Sequence, residues 1–139
     1  MSYKIVGKYI KKLNFDIPNP KTFFLLSKDI SNYKINIDIK SNQIKEDIVE
    51  VQISLSLKSN MTQDNIINTE IIYSAIIEIS EKNNSKDQIE KIILIDVPTE
   101  IYPELRKIFI FIFESSGFKE IKINEKVDFQ KLLNLRKTQ

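Results

Sequence analysis

The chain has 139 residues, of which 42% are apolar and 29% are charged, with 21 Lys and Arg against 19 Asp and Glu. It has no His and no Cys, which excludes Ser-His-Asp and Cys-His catalysis, zinc sites with imidazole or thiolate ligands, and disulfide bonds. Two glycines are too few for a glycine-rich phosphate loop, and a net charge of +2 with dispersed lysines does not indicate nucleic-acid binding. We therefore expect one domain over residues 1–139 that binds a partner without a cofactor or a metal ion.

The sequence contains neither a secretory signal nor a membrane-spanning pattern. The first ten residues include Lys4 and Lys8 and lack an unbroken apolar stretch. The longest apolar run, residues 108–113, is far shorter than the roughly 20 residues that a membrane-spanning helix needs. We expect a cytoplasmic protein that does not insert into a membrane.

Alternating apolar and polar residues predict four β-strands, over about residues 4–15, 33–40, 49–58 and 66–79. We expect the first strand to place on one face Tyr9, Lys11, Leu13 and Phe15, and on the other Ile10, Lys12, Asn14 and Asp16. Residues 17–20, Ile-Pro-Asn-Pro, end this strand, and a loop with an apolar piece at 23–26 follows through Lys28. Short connections predict an antiparallel sheet, because parallel neighbours would need crossover helices, and we expect the strands in meander order.

The pattern changes to a helical one after Ile79. Ser85 and Gln88 have the spacing of a capping box and predict a helix through about Leu94, although residues 92–95 would also suit a strand. Pro103 and Gly117 fit the first turn and the C-terminal cap of a second helix over about residues 103–116. A shorter helix is expected from about residue 128. The predicted fold class is α+β, with a four-stranded antiparallel sheet followed by two to three helices on one face.

The second helix has more apolar residues than one sheet can cover. Its expected sheet-packed stripe consists of Leu105, Ile108, Phe109 and Ile112. The run 108–113 covers every side of the helix, so a second surface is needed, either a second copy of the chain or another element of the same chain. The expected oligomer interface consists of Ile108, Ile110, Phe111 and Phe113.

A further apolar excess lies on the fourth strand, where Ile72 and Ile76 oppose the main apolar set. Together with Phe23 and Phe24 they would form an exposed apolar patch of the kind that marks binding sites. The alternative is that they are scattered surface residues in an isoleucine-rich chain.

Four blocks of the sequence, residues 9–20, 70–79, 101–107 and 127–133, resemble the bacterial export chaperone SecB in order and spacing. The first block reads Tyr-Ile-Lys-Lys-Leu-Asn-Phe-Asp-Ile-Pro-Asn-Pro. The resemblance implies a homotetramer, built as a dimer of dimers, that holds unfolded preproteins without ATP and delivers them to the motor protein SecA. It also implies client-binding grooves, to which we assign Phe23, Phe24, Ile72 and Ile76.

The resemblance places a SecA-binding surface on the first and fourth strands. Asp16 and Glu70 match two acidic contacts of the family, whereas Lys12 stands at a third acidic position and Asn68 at an apolar one. These two departures favour the alternative of a SecB-like chaperone with a dedicated client, such as an antitoxin, and no SecA partner. The SecA-binding candidates are therefore Asp16, Glu70, Lys12 and Asn68.

An enzyme is the third class of function considered. The closest grouping of carboxylates, Glu46, Asp47 and Glu50, is better interpreted as a polar turn followed by the solvated face of a strand. No carboxylates gather at an apolar strand end, as glycosidase or Mg²⁺ chemistry would need. We therefore expect a binding protein and not an enzyme.

Overall fold

The computed structural model describes residues 3–29, 34–58, 68–118 and 121–137, which form a four-stranded antiparallel sheet with helices on one face. The strands are β1 (Tyr3–Asp16), β2 (Lys34–Lys45), β3 (Ile48–Lys58) and β4 (Asn68–Ile79). The helices are α1 (Pro20–Asp29), α2 (Lys86–Lys91), α3 (Val97–Ser115) and α4 (Phe129–Lys137). The α+β prediction is confirmed. Residues 33, 66 and 67, which we predicted to be in strands, lie outside the described residues.

The strand order is β1-β4-β3-β2, so the predicted meander is wrong. The last three strands do form a meander, and β2 and β3 are joined by a two-residue turn at Glu46 and Asp47, shorter than predicted. The connection between Asp16 and Lys34 is much longer and contains α1. A connection of that length allows β2 to begin at the far edge of the sheet instead of beside β1.

The core lies between the sheet and α3. The sheet contributes fully buried residues from its two central strands, among them Val51, Ile53, Leu55, Ile71, Ala75 and Ile77. The helix contributes a buried stripe of Ile101, Tyr102, Leu105, Phe109 and Phe113. Phe113 was expected at an oligomer interface, and this is wrong, because its ring packs against Phe15, Phe109 and Phe118 inside the chain.

Two register shifts in β1, between Ile5 and Gly7 and between Ile10 and Lys12, change the faces predicted for this strand. A β-bulge adds one residue to a strand, so the residues after it point to the face opposite the one that strict alternation assigns. On the core side, Ile10 and Leu13 lie opposite Tyr73 and Ile71. The prediction that placed Ile10 with the polar residues and Tyr9 with Leu13 is therefore wrong.

Residues 20–29 form helix α1, which replaces the loop predicted through Lys28. The Asn19 carboxamide oxygen accepts hydrogen bonds from the backbone N–H and the hydroxyl of Thr22, at 2.8 and 3.0 Å, and Pro20 occupies the first helical position. Leu26 is fully buried and anchors the helix to the core. The capping residue and the proline were thus present in the sequence, although the two prolines were interpreted only as a strand end.

Helices α2 and α3 are joined by a π-helical turn, Ile92–Asp96. The capping box at Ser85 and Gln88 is confirmed, with bonds of 3.2 and 2.8 Å. Pro98 has no N–H for the Leu94 carbonyl and its ring would clash with it, and the wider turn accommodates this. Helix α3 therefore begins at Val97, and the prediction that it begins at Pro103 is wrong.

Gly117 caps α3 as predicted, with a φ of 100° that a side chain would strain. A Cβ there would also lie 3.2 Å from the Phe23 ring, so α1 packs closely against this cap. Among the described residues, no helix is long and apolar enough to cross a bilayer.

The burial of Phe113 gives a stability prediction. Phe113→Ala should lower the free energy of unfolding by about 3–5 kcal/mol, because it removes a buried ring and leaves a cavity. Phe24→Ala removes the same ring from a site that is 64% exposed and should cost less than about 1 kcal/mol. Urea unfolding of the two variants beside the parent chain measures both values, and similar losses would contradict this packing.

Candidate functional site

The face of the sheet opposite the helices, here called the outer face, carries a buried carboxylate near its centre. Glu50 of β3 is 4% exposed. Its oxygens accept hydrogen bonds from the hydroxyls of Tyr9 and Ser74, the ammonium group of Lys11 and the amide of Gln52. The bonds from Lys11, Ser74 and Gln52 measure 3.0, 2.8 and 3.0 Å. Donors from three strands thus converge on one carboxylate.

These donors make the ionised form of Glu50 the stable one. The Tyr9 hydroxyl contributes most, and with Lys11, Ser74 and Gln52 it lowers the pKa of Glu50 to about 2, against the opposing effect of burial. The interpretation of Glu50 as a solvated residue is therefore wrong. The meander prediction concealed this cluster, because it separated β1 from β4 and β3, whereas Tyr9 lies directly opposite Ser74.

The four SecA-binding candidates lie together at one end of the outer face. Asp16 is paired with Asn68, and Glu70 with Asn14, in the β1–β4 register. Lys12 lies diagonally across from Glu70, and its ammonium nitrogen is 2.9 Å from a carboxylate oxygen of Glu70. The prediction that these residues share one surface agrees with their register. The structure adds that Lys12 forms an ion pair with one of the two acids, Glu70.

The four client-binding candidates do not form one patch within the chain. Ile72 and Ile76 are partly buried on the outer face of β4. Phe23 and Phe24 belong to α1 on the helical side, where Phe23 stacks on Phe118 with ring centroids 4.9 Å apart. Only Phe24, which is largely exposed, presents most of its ring to solvent. The contiguous patch predicted from these residues is therefore wrong.

The remaining oligomer-interface candidates lie on two sides of α3. Glu104 accepts hydrogen bonds of 2.6 Å from Lys8 of β1 and from Tyr73, which fixes the β1 side of the helix. Ile108 and Phe111 lie one and two turns later on that side, and Phe111 is 65% exposed. Ile110 lies one turn after Arg106, whose guanidinium bonds the Ile123 carbonyl on the other side. We call Ile108, Phe111 and the exposed Ile10 and Leu13 of β1 the α3–β1 strip.

A groove follows the free edge of β2 and was not anticipated from the sequence. It consists of two cavities, of about 230 and 330 Å³, that meet at Ile37. Its apolar lining comes from β2, α3, the segment 121–127 and α4, and consists of Ile35, Ile37, Ile39, Tyr102, Ile123, Val127, Leu132 and Leu135. We call it the β2 groove.

Three side-chain hydrogen bonds to backbone carbonyls position the walls of the β2 groove. The Tyr102 hydroxyl donates to the Asn124 carbonyl at 2.6 Å, and Arg106 donates to the Ile123 carbonyl at 3.2 Å. Arg136 of α4 donates to the Ile39 carbonyl at 3.3 Å. That carbonyl therefore points away from β3, and by alternation the backbone groups of Ile35 and Ile37 also face the groove.

Neither site has the composition of a metal centre or of an active site. Within the described residues, no group of three or more Asp or Glu side chains is arranged to hold a metal ion. Glu50 is enclosed by donors and points into the sheet surface, so it has no open position for a reacting group.

Comparisons with known proteins identify a family to which the whole chain is similar. The family model described as preprotein translocase subunit SecB matches residues 1–139. The putative protein-export protein SecB of Pelagibacter ubique is 38% identical over 135 residues, covering 97% of this chain and 96% of that protein. The protein-export protein SecB of Anaplasma phagocytophilum is 26% identical over 138 residues, covering 91% and 87%.

A solved structure shares the fold. It is that of a SecB-like chaperone of Mycobacterium tuberculosis in complex with a ChAD peptide from the HigA1 antitoxin. The TM-score is 0.61 at 11% sequence identity, and the match covers 88% of this chain and 91% of that chain. At this identity the likeness supports the sheet and helix arrangement alone.

The Glu50 cluster predicts a specific pH dependence. Since the pKa of Glu50 is lowered from 4.5 to about 2, its stabilising effect is complete above pH 4.5 and is lost as the pH falls towards 2. Glu50→Gln should lower the free energy of unfolding by up to about 3 kcal/mol at pH 7, and the difference from the parent should shrink between pH 4.5 and 2.

Urea unfolding at pH 7, 4.5 and 2.5 and at one protein concentration measures this difference. The control is Glu78→Gln, which neutralises an exposed carboxylate of β4 on the same face. The free energy of unfolding of this variant should differ from that of the parent chain by less than about 1 kcal/mol. A Glu50→Gln difference that does not change with pH would contradict the role assigned to the cluster.

Proposed function

This chain belongs to the SecB family of export chaperones, and from this premise we propose that it holds unfolded preproteins in the β2 groove and delivers them to SecA. The observation that carries the proposal is the combination, along one groove, of an apolar lining and an outward-facing backbone edge. An unfolded chain offers the complementary features, namely apolar side chains and unpaired backbone groups. Neither ATP nor a cofactor is needed for such contacts, and the expected site of action is the cytoplasm, before export.

An extended client segment is the ligand that fits the β2 groove. Backbone groups of Ile35 and Ile37 facing the groove can pair with an added strand, and this pairing is independent of the client sequence. Every second side chain of the segment would then enter the apolar lining beside Tyr102 and Ile123. Weak selectivity of this kind is what a chaperone for many preproteins requires.

We further propose a homotetramer built as a dimer of dimers. The α3–β1 strip supports it, because Phe111 is too exposed for an aromatic residue on an otherwise apolar stretch of helix. A second copy that covers the strip would bury the surface that the sheet leaves open. Several β2 grooves on one assembly would also hold one client at several points, which strengthens binding through effective concentration.

The outer face supports docking of SecA through Asp16 and Glu70, the acids that match the family's contacts. Lys12 and Asn68 are the departures that favour the second candidate, a SecB-like chaperone with a dedicated client and no SecA partner. The Lys12–Glu70 ion pair reduces the acidic character of this surface. Binding of purified SecA separates the two candidates.

The β2 groove gives a prediction for client holding. Ile123→Asp places a carboxylate in the apolar lining and should weaken client binding by about tenfold to a hundredfold, because burial of one such side chain contributes about 1.5–3 kcal/mol. The measurement is the chaperone concentration that halves the aggregation of an unfolded preprotein. Ile44→Asp makes the same change at an exposed residue of β2 outside the groove and should have little effect. Equal losses in both variants would contradict the groove assignment.

The α3–β1 strip gives a prediction for assembly. The parent chain should have the mass of a tetramer by light scattering at micromolar concentration. Phe111→Glu should yield smaller species, because it places a charge at the centre of the strip. Phe24→Glu, at a similarly exposed ring of α1, should leave the mass unchanged. A monomeric parent chain, or a tetrameric Phe111→Glu variant, would contradict the proposed interface.

A further inference from the structure

The bulge in β1 places two consecutive lysines on the same face of the sheet. In a regular strand, Lys11 and Lys12 would point to opposite faces. The register passes from Ile10 directly to Lys12, so Lys11 is the extra residue, and both side chains bond carboxylates of the outer face. Lys11 lies 3.0 Å from Glu50, and Lys12 lies 2.9 Å from Glu70.

The two ion pairs differ in what a partner protein can reach. The Glu50 side chain is 6% exposed and is surrounded by four donors, so no group from outside can replace Lys11 on it. The Glu70 side chain is 33% exposed, and its ion-pair partner Lys12 is 53% exposed. Of these two carboxylates, Glu70 is therefore the one that an incoming cationic group can bond, and Lys12 already bonds one of its oxygens.

We propose that Lys12 is a specificity-determining residue that competes with SecA for Glu70. This inference rests on the proposed function, in which Glu70 and Asp16 bind SecA. A partner that recognises carboxylates does so with ammonium or guanidinium groups. Such a group must share Glu70 with the tethered Lys12 ammonium, which bonds one of its two oxygens, or displace it, and in either case it meets the repulsion of that ammonium. Lys12 thereby lowers the affinity of the outer face for a basic surface.

The size of the effect follows from the exposure of the pair. Exposed ion pairs are weak and are screened by salt, so the competition is modest and depends on ionic strength. Lys12→Gln, which removes the charge and retains most of the side chain, should tighten SecA binding about two- to fivefold at low salt. The gain should disappear at about 0.5 M salt, where the screening length is only about 4 Å.

Lys11→Gln is the matched control. It removes the same charge from the adjacent residue on the same face, so it changes the long-range electrostatic field in the same way. It leaves Glu70 paired with Lys12, however, and exposes no new carboxylate. We expect its affinity for SecA to stay within about 1.5-fold of the parent. A Lys12→Gln/Glu70→Gln double variant should lose the gain of the single one.

The experiment is a titration of purified SecA with the full-length variants at low and high salt, beside the aggregation assay for client holding. Tighter binding of Lys12→Gln alone supports the inference. Equal gains for both lysine variants overturn it, because a field effect then suffices, and weaker binding of Lys12→Gln overturns it by making Lys12 a direct contact. If no variant binds SecA while all still hold clients, both this inference and the SecA part of the proposed function fail, but the holding function stands.

Discussion

The antiparallel pairing of β1 with β4 determines which side chains lie on the helical side of the sheet and which lie on its outer face. With two register shifts, this pairing sends Ile10 and Leu13 to the helical side and Tyr9, Lys11 and Lys12 to the outer face. The helical side then receives α3 through the contact of Lys8 with Glu104. If β1 kept the alternation of its first residues throughout, Tyr9 and Lys11 would lie on the helical side, away from Glu50. Lys8 would lie on the outer face, away from Glu104.

The outer face carries one buried carboxylate, Glu50, and one partly exposed carboxylate that is paired with a lysine, Glu70. Glu50 lies in the surface and collects donors from three strands, and its ionised form therefore contributes to stability over the whole range above pH 4.5. Glu70 lies at the rim, with one lysine beside it. The buried carboxylate contributes to the order of the strands, whereas the exposed one is the carboxylate of the proposed docking site. The proposed docking through Glu70 therefore does not require a strongly acidic surface, which a chain with a net charge of +2 lacks.

The sequence was sufficient where a local signal determined the structure. The alternation in β3 and β4, the capping box at Ser85 and the positive φ at Gly117 each depend on a few neighbouring residues, and all were predicted. The bulges in β1, the pairing of β1 with β4 and the Glu50 cluster depend on residues far apart in the chain, so alternation alone could not identify them. The burial of Phe113 also depended on a distant partner, Phe15 of β1, whose ring packs edge-on against it.

The two edge strands of the sheet differ in how their backbone edges are protected, and this difference suits a chaperone. An exposed strand edge invites pairing with other chains, and natural sheets protect edges with bulges and lysines. Strand β1 has both, with register shifts at two places and the side chains of Lys4, Lys8 and Lys12 along it. Strand β2 has a backbone edge that faces an apolar groove and is contacted by Arg136 near Ile39. Among the described residues, the fold therefore protects one edge from uncontrolled pairing and leaves the other beside an apolar lining, which is the arrangement that the proposed binding of unfolded segments requires.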